Sequence, residues 1–360
     1  MSEDNFHECP NAGEDSLIDF PLICTNGSDT TLFECVEHTE GAPLVLRYIQ
    51  GIWFLLVFIL GTFGNLSTII AIPLAIKINI TGFQQAHRIT NFFIWHLSVV
   101  ELWHCITYTF GTSYAMLVQS WPFGTLWCIV CAGTSGMTFY LQLISLNLIG
   151  ISRCVLIKTK RVLWYKYAYL FAALVIILWI PCVILFFPSF TGITFGWYCY
   201  AGACDFYIPY DKAHSYSFNA FTITSIVLMC VSYLVIWLEV RKSRNTVRLH
   251  GQNTATTSKI GNNVKNEKMT RIIITLLLLS IICYLPFIIA KFFLANTSHN
   301  IYVYHICNIF VETQYAVNFF VYVVTNDNYR SAYNALWSQL TFKRRPSIHI
   351  TSIEFKPINE

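Results

Sequence analysis

The side chains able to do chemistry are few and lie far apart. Glu101 and Glu312 sit inside long apolar runs, where a carboxyl group must be protonated, paired or hydrated. His104 follows Glu101 by three positions. Cys128 and Arg153 stand 25 positions apart with only uncharged residues between them. As one helix, that interval spans roughly 37 Å, placing a thiol at one face of a bilayer and a cation at the other. None of this is the equipment of an enzyme: there is no paired Asp, no His-Glu-x-x-His and no Gly-x-Ser-x-Gly turn. Cys128-Ile129-Val130-Cys131 has the spacing of half a zinc site but lacks a second pair, so no metal and no cofactor is expected.

The elements that must position these residues are membrane spans. Of 360 residues 55% are hydrophobic and only 12% charged, too apolar a balance for a soluble domain. Seven hydrophobic runs reach the length that crosses the ~30 Å hydrocarbon core. They fall near Val45 to Ile76, Ile89 to Leu117, Leu126 to Ile157, Tyr165 to Phe187, Ser215 to Glu239, Met269 to Leu294 and Ile301 to Thr325. The fold class expected is an all-α membrane protein, a seven-transmembrane helix bundle with a short amphipathic eighth helix. That last piece covers 326–340, with Tyr329, Ala332, Tyr333 and Trp337 on one face, and suits the membrane interface. The domain reading is therefore an acidic outer tail (1–44), the bundle (45–325), the interfacial helix (326–340) and an inner tail (341–360).

Charge sets the sidedness. Twenty of the 23 Lys and Arg lie in four segments (77–88, 153–166, 241–271 and 330–356), whereas ten of the 19 acids precede residue 41. The positive-inside rule then puts the N-terminus outside and the C-terminus in the cytoplasm. The opening residues lack a basic leader with an apolar core, so the first span is expected to act as the signal anchor. Arg241 to Lys268, basic and rich in Ser, Thr and Asn, reads as a flexible inner loop. Cys9, Cys24, Cys35, Cys128, Cys199 and Cys204 fall on the outer side, where disulfides form, and six cysteines allow 15 pairings. The other seven lie in spans or at the inner face and read as packing residues. Asn26-Gly27-Ser28 and Asn296-Thr297-Ser298 are outer glycosylation acceptors.

Helical spacing shows which faces look inward. Glu101, His104 and Tyr108 make one stripe; Ser135, Thr138, Gln142 and Ser145 a second; Asn308, Glu312, Tyr315 and Tyr322 a third. For any single Ser, Thr or Gln, a helix-to-helix hydrogen bond is the ordinary explanation.

From about residue 45 to 340 the chain resembles the rhodopsin-like (class A) G protein-coupled receptors. The resemblance rests on Gly64-Asn65 and Leu97-Ser98-Val99-Val100-Glu101 in the first two spans, then Trp121-Pro122-Phe123-Gly124 leading to Cys128 and Trp179 in the fourth span. Cys283-Tyr284-Leu285-Pro286 in the sixth and Asn318-Phe319-Phe320-Val321-Tyr322 in the seventh complete it. The member is divergent, orphan-type. Glu101 replaces the family's aspartate, Tyr284 stands at its tryptophan position, Ser225 stands where a proline is common, and the seventh-span motif lacks its proline. Ser152-Arg153-Cys154 stands where Asp-Arg-Tyr is usual, and Asn266 where some members carry a glutamate, with Glu267 adjacent.

What the resemblance implies is a cell-surface receptor whose extracellular ligand drives nucleotide exchange on a heterotrimeric G protein. Arrestin and a receptor kinase are further candidate partners, the lipid bilayer is its surrounding, and no nucleic acid is involved. It assigns Arg153, Tyr233 and Tyr322 to the G protein switch and Tyr284 with Pro286 to a toggle and hinge. Asn65, Glu101, Gln142 and Asn318 form a polar core, in which the long Glu101 and Gln142 side chains fill the space other members give to sodium. It implies a disulfide from Cys128 to Cys204 or Cys199. Loss of the acid at 152 implies a less restrained resting state. The ligand pocket candidates are His104, Ser135, Lys291, Asn308 and Glu312. Ser135 is not the aspartate of amine receptors and no lysine stands where opsins link retinal, so a peptide or small non-amine molecule is expected. A transporter or channel is the alternative, disfavoured by the lack of internal repeats.

Overall fold

The computed structural model describes residues 44–80, 83, 88–119, 121–159, 173, 175–177, 179–180, 182–184, 195–198, 203–206, 212–250, 272–287, 289 and 301–341. The tail 1–43 with Asn26, the segment 342–360, and Cys199, Asn266, Glu267, Lys291 and Asn296 lie outside the described residues. The first helix, α1 (Leu44–Lys77), ends at a basic residue that suits a helix C-terminus. Asn79, in the left-handed conformation Asn tolerates (φ 56°), turns the chain out of it. The second expected span forms as two helices, α2 (Arg88–His104) and α3 (Phe110–Val118), joined by a π-helical turn at Cys105–Thr109. Gln119 (φ 61°) stops α3. Trp121 then hydrogen-bonds the Gly124 carbonyl at 2.9 Å and packs edge-on against Phe123, which fixes the entry into α4 (Gly124–Thr159).

The described residues between 173 and 184 are helical, as the fourth expected span requires. After them β1 (Phe195–Tyr198) and β2 (Ala203–Phe206) pair as an antiparallel hairpin, a small addition to the all-α expectation. It lies against α4. Next come α5 (Lys212–His250), α6 (Ile272–Phe287), α7 (Ile301–Thr325) and α8 (Asp327–Leu340). One expectation needs correcting here: α5 continues eleven residues past Glu239, so 241–250 is helix rather than flexible loop. No Gly or Pro interrupts 241–250, and Arg241 stacks its guanidinium 5.2 Å from the Trp237 ring one turn earlier.

α4 is the axis of the bundle. Its apolar window is 78% buried, against 44% for α1 and 28% for α5. The outward residues of α1 and α5, among them Ile52, Leu56, Ile59, Val227, Val231 and Leu234, are exposed and apolar, as a lipid-facing surface must be. α7 packs along α1, and the two backbones come close because Gly64 faces Phe319. A Cβ at Gly64 would stand 2.6 Å from the Phe319 Cβ. Asn326 caps α8, its side chain accepting from the Asn328 N–H at 2.8 Å. On α8 the buried face is Tyr329, Ala332, Tyr333 and Leu336. Trp337, expected on that face, is 43% exposed and stacks at the edge on Phe63 of α1.

Gly64→Ala should therefore cost about 1–3 kcal/mol of stability through overpacking against Phe319. Leu60→Ala, on the exposed face of the same helix, should change little. Thermal unfolding of the detergent-purified protein reads both; equal melting temperatures for Gly64→Ala and the parent would refute the close packing.

Candidate functional site

Halfway along the bundle a single carboxyl group ties four helices. Glu101 (α2) has no exposed surface, and its Oε1 accepts from Gln142 Nε2 of α4 at 2.9 Å and from Asn318 Nδ2 of α7. Gln142 in turn accepts from the Tyr284 hydroxyl of α6. Asn318 Oδ1 accepts from Gln314 at 3.2 Å, and Gln314 also donates to Ser280 of α6 at 3.0 Å. Asn65 (α1) joins from the side, donating to the Tyr315 carbonyl at 2.9 Å. The polar core expected from sequence is thus assembled, and Tyr284, expected as the toggle, is bonded directly into it. Pro286 lies half-buried two residues on. Glu101 Oε2 has no partner among the described residues.

About one turn closer to the Cys128 end is a second polar layer. His104 Nε2 lies 3.1 and 3.2 Å from the two carboxyl oxygens of Glu312, and Thr109 donates to Glu312 Oε2 at 3.0 Å. Thr138 donates to its own helix at the Thr134 carbonyl, 2.6 Å away, so its oxygen accepts from His104 Nδ1 at 2.7 Å. His104 Nε2 is then the ring nitrogen that faces the Glu312 carboxyl group. The His104 ring stacks on Tyr315 with centroids 3.6 Å apart and planes 7° apart.

The π turn makes this layer possible. At about 100° per residue, positions 104 and 109 of an unbroken α-helix would point roughly 140° apart. Here the Phe110 N–H bonds the Cys105 carbonyl, an i→i+5 link that brings residues five apart onto one face. Of the other pocket candidates, Ser135 is half-buried and bonds the Ala132 carbonyl of its own helix, and Asn308 is half-buried.

α2 and α4 are joined along their whole length by side-chain bonds. Going one way along α4, Thr138, Gln142, Ser145 and Ser152 meet His104, Glu101, His96 and Thr90 going the other way along α2. At His96 every proton can be placed. Ser145 donates to the Leu141 carbonyl (2.6 Å), so His96 Nδ1–H donates to Ser145 (2.9 Å), while His96 Nε2 accepts from Trp179 (2.8 Å). Near the α1 and α7 starts, buried Gln50 bonds His305.

At the other end Arg153 is buried at 2% exposure, and Tyr322, also buried, stacks on Tyr329 of α8 (5.2 Å, 24°). The Tyr322 hydroxyl has no partner among the described residues. Tyr233 is half-buried against the main apolar core. Tyr329 donates to Asn91 Oδ1 at 3.0 Å; Thr68 donates to the Gly64 carbonyl, so Tyr333 donates to Thr68 at 2.8 Å. Burial raises both α8 tyrosines above the usual phenol value. At the opposite end Cys128 is fully buried and disulfide-bonded. β2, which carries Cys204, lies on α4. Cys105, Cys131, Cys230, Cys283 and Cys307 are free thiols, Cys230 facing outward rather than into the packing.

Several participants escape a sequence reading. Thr109 lies off the α-helical stripe and only the π turn recruits it. Gln314 falls one position from Tyr315 of the α7 stripe, and Asn91 lies six positions before the Leu97–Glu101 motif. Tyr329 is on the expected face of α8, but nothing in its sequence shows a bond to α2.

A bundle of membrane-length helices with buried polar layers is the architecture of a multi-pass membrane protein. The profile of the family described as "7 transmembrane receptor (rhodopsin family)" matches residues 74–322, and the chain belongs to that family. Relatives include "Putative neuropeptide Y receptor 11" of Caenorhabditis elegans, 29% identical over 43% of this chain and 36% of that protein. "Neuropeptide Y receptor type 6" of Mus musculus is 28% identical over 46% and 42%. The matches thus span less than half the length of these two relatives. "Protein trapped in endoderm-1" of Drosophila melanogaster is 23% identical over 80% and 76%. The crystal structure of squid rhodopsin superposes with a TM-score of 0.69 at 15% identity, covering 91% of this chain and 93% of that one; this is a likeness of fold.

Removing either half of the 104–312 pair leaves the other buried with only a threonine partner, at a cost of about 3 kcal/mol. His104→Leu and Glu312→Leu should each lower stability strongly, and the double variant should recover most of the loss. A double-mutant cycle by thermal unfolding checks this; additive losses would show that the two side chains are not coupled.

Proposed function

We propose that this receptor binds an extracellular peptide and activates a heterotrimeric G protein, with its N-terminus outside and its C-terminus in the cytoplasm. The observation that carries the reading is the set of buried polar contacts in two successive layers, the His104–Glu312 pair and, about one turn deeper, Tyr284, Gln142, Glu101 and Asn318, on the side of the bundle that leads to Arg153. Its members sit on α2, α4, α6 and α7, so a ligand that shifts any one helix disturbs partners on the others. Such an element has a small number of alternative pairings, and a ligand favouring one of them biases the whole bundle. Relatives named for neuropeptide Y, together with one named "RYamide receptor" from Tribolium castaneum (25% identical over 60% of this chain), support a peptide over a small molecule.

In this reading the peptide enters between Ser135, Asn308 and Lys291, and the His104–Glu312 pair forms the floor of its pocket. Tyr284 and Pro286 pass the displacement on through the polar core of Asn65, Glu101, Gln142 and Asn318. Arg153, Tyr233 and Tyr322 meet the G protein, while arrestin and a receptor kinase would act on the same inner face. The outer tail 1–44 carries a glycan at Asn26 and the last outer loop one at Asn296; 326–340 lies in the inner interface and 341–360 in the cytoplasm. Cys128 pairs with Cys204 of β2, in the hairpin that lies on α4. That bond pins the hairpin over the pocket mouth.

Peptide mapping of the unreduced protein should recover Cys128 joined to Cys204; Cys128 joined to Cys199 would move the pinned point out of β2. Cells expressing the full chain and challenged with a neuropeptide library should release G protein subunits in a concentration-dependent way, and Arg153→Leu should cut the maximal response roughly tenfold or more. A silent peptide library alongside a response to small organic compounds would overturn the peptide reading.

A further inference from the structure

The lipid-facing stripe of α5 continues past the membrane as arginines. Stepping alternately by four and three residues from Ile223 gives Val227, Cys230, Leu234 and Trp237, all of them exposed. At about 100° per residue these positions fall on one side of the helix, and hydrocarbon is the solvent such an apolar side meets. The same steps continued give Arg241, Arg244 and Arg248, and the backbone stays helical through His250. The buried face, Ser225, Met229, Ser232 and Ile236, lies on the other side of the helix. The residues that continue it, Glu239, Val240, Ser243 and Val247, include no Lys or Arg. Depth is fixed independently. The apolar segment Ala220–Glu239 has 20 residues, roughly 30 Å of helix and so one hydrocarbon core. Trp237 stands in its last turn, where interfacial tryptophans lie. One turn on, the Arg241 guanidinium stacks 5.2 Å from the centroid of that ring. Arg241 therefore enters the headgroup layer, ~5–8 Å deep, while Arg244 and Arg248 follow roughly 10 and 16 Å past Trp237, the last still about a Debye length from the surface. This is the Arg153 end of the bundle, because α4 and α5 run parallel: Phe221 stacks on Tyr140 (4.4 Å, 22°) and the Cys154 thiol reaches the Ser232 carbonyl at 3.5 Å.

We propose that Arg241, Arg244 and Arg248 form a binding stripe for the phosphate headgroups of anionic phospholipids, in the leaflet at the Arg153 end. All three stripe positions past Trp237 are arginine rather than lysine, and the planar guanidinium grips a phosphate through two parallel hydrogen bonds. A face that is merely solvated has no reason to continue the lipid-facing stripe. A protein partner seated over the mouth of the bundle would meet the other side of α5, which carries Glu239 instead. The proposal goes beyond the peptide and G protein reading and takes from it only that this end is cytoplasmic, the side where acidic lipids gather. Lipid binding at the stripe would hold the extension of α5 against the bilayer surface, and with it the helix end from which the loop to α6 departs.

The test titrates the detergent-purified full chain with phosphatidylinositol 4,5-bisphosphate, and separately with phosphatidylcholine, counting retained lipid by native mass spectrometry. In parallel, amide hydrogen exchange over 238–250 is followed in nanodiscs of phosphatidylcholine with and without phosphatidylserine. The parent should prefer the bisphosphate lipid, and the acidic discs should slow hydrogen exchange over 238–250. Arg241→Gln should weaken retention of the bisphosphate lipid roughly fivefold, as the loss of one cation at an acidic surface predicts. Lys242→Gln removes the same charge one position off the stripe and should change retention less than about twofold. The variant with all three arginines changed to glutamine should lose the preference and the protection together. All these positions are outside the packed core, and equal melting temperatures confirm that each variant is folded. A parent that retains the two lipids alike overturns the proposal, as does a triple variant that behaves like the parent. Equal losses in Arg241→Gln and Lys242→Gln overturn the stripe, leaving only diffuse charge. Protection of 238–250 by a G protein in pure phosphatidylcholine discs, with none from acidic lipid, makes this a protein-docking face and overturns the lipid assignment. None of the lipid readouts requires a peptide or nucleotide exchange, so they stand or fall apart from the coupling reading. An epitope at the C-terminus, labelled in intact cells, would overturn the cytoplasmic sidedness alone.

Discussion

A bundle in hydrocarbon has no water to accept its polar groups, so each must find a partner inside the protein. In this chain that requirement converges on Glu101. Its Oε1 receives a proton donor from α4 and another from α7, and the α4 donor, Gln142, uses its carbonyl oxygen to engage α6. One oxygen atom and one amide group therefore fix the relative rotation of four helices. Apolar packing alone would leave such rotations weakly determined, because lipid tails are as apolar as the leucines they meet.

The α2–α4 interface extends the same logic along the membrane normal. Four side-chain pairs, at 104–138, 101–142, 96–145 and 90–152, run antiparallel from the His104 layer to the turn beside Arg153. At about 0.6 kcal/mol for a typical interhelical bond in a membrane, together they contribute on the order of 2–3 kcal/mol. That is modest as stability and large as register: a shift of one residue breaks all four at once. The π turn is the local adjustment that keeps Thr109 in line for Glu312 without disturbing the pairs below it.

Sequence spacing made much of this visible. The stripes on α2, α4 and α7 pointed to the right faces, and Thr138, Gln142 and Ser145 do form the helix-to-helix bonds that are the ordinary role of such residues. Span limits agree with the helices to within a few residues for α1, α4 and α7, because long apolar runs leave few alternatives. What escaped follows from the regularity a spacing argument assumes. A reading built on 3.6 residues per turn has no place for a turn of i→i+5 bonds, so Thr109 stayed hidden. The basic, polar composition of 241–250 resembled a loop because composition reports polarity, and a helix can be as polar as a loop. On α8 the fourth inward position went to Trp337, although a large aromatic side chain sits more readily at the edge, against Phe63, than under a tightly packed helix.

The departures from the family's usual residues are coupled to one another. A tyrosine at 284 brings a hydroxyl where the usual tryptophan brings an indole N–H on a larger ring, and that hydroxyl is spent on Gln142. Gln142 is long enough to reach Tyr284 with one end of its amide and Glu101 with the other. Glu101, one methylene longer than the usual aspartate, places its carboxyl where Gln142 and Asn318 both reach it. Reverting any one of the three would strand a buried donor or acceptor on its neighbour, at about 1–3 kcal/mol for each group left unpaired. The three residues therefore form one unit, a substituted core that keeps the four-helix tie with different chemistry. Because its hydrogen bonds interlock, displacement of the α6 tyrosine is felt at α7 through two shared atoms rather than through a long relay of packed side chains.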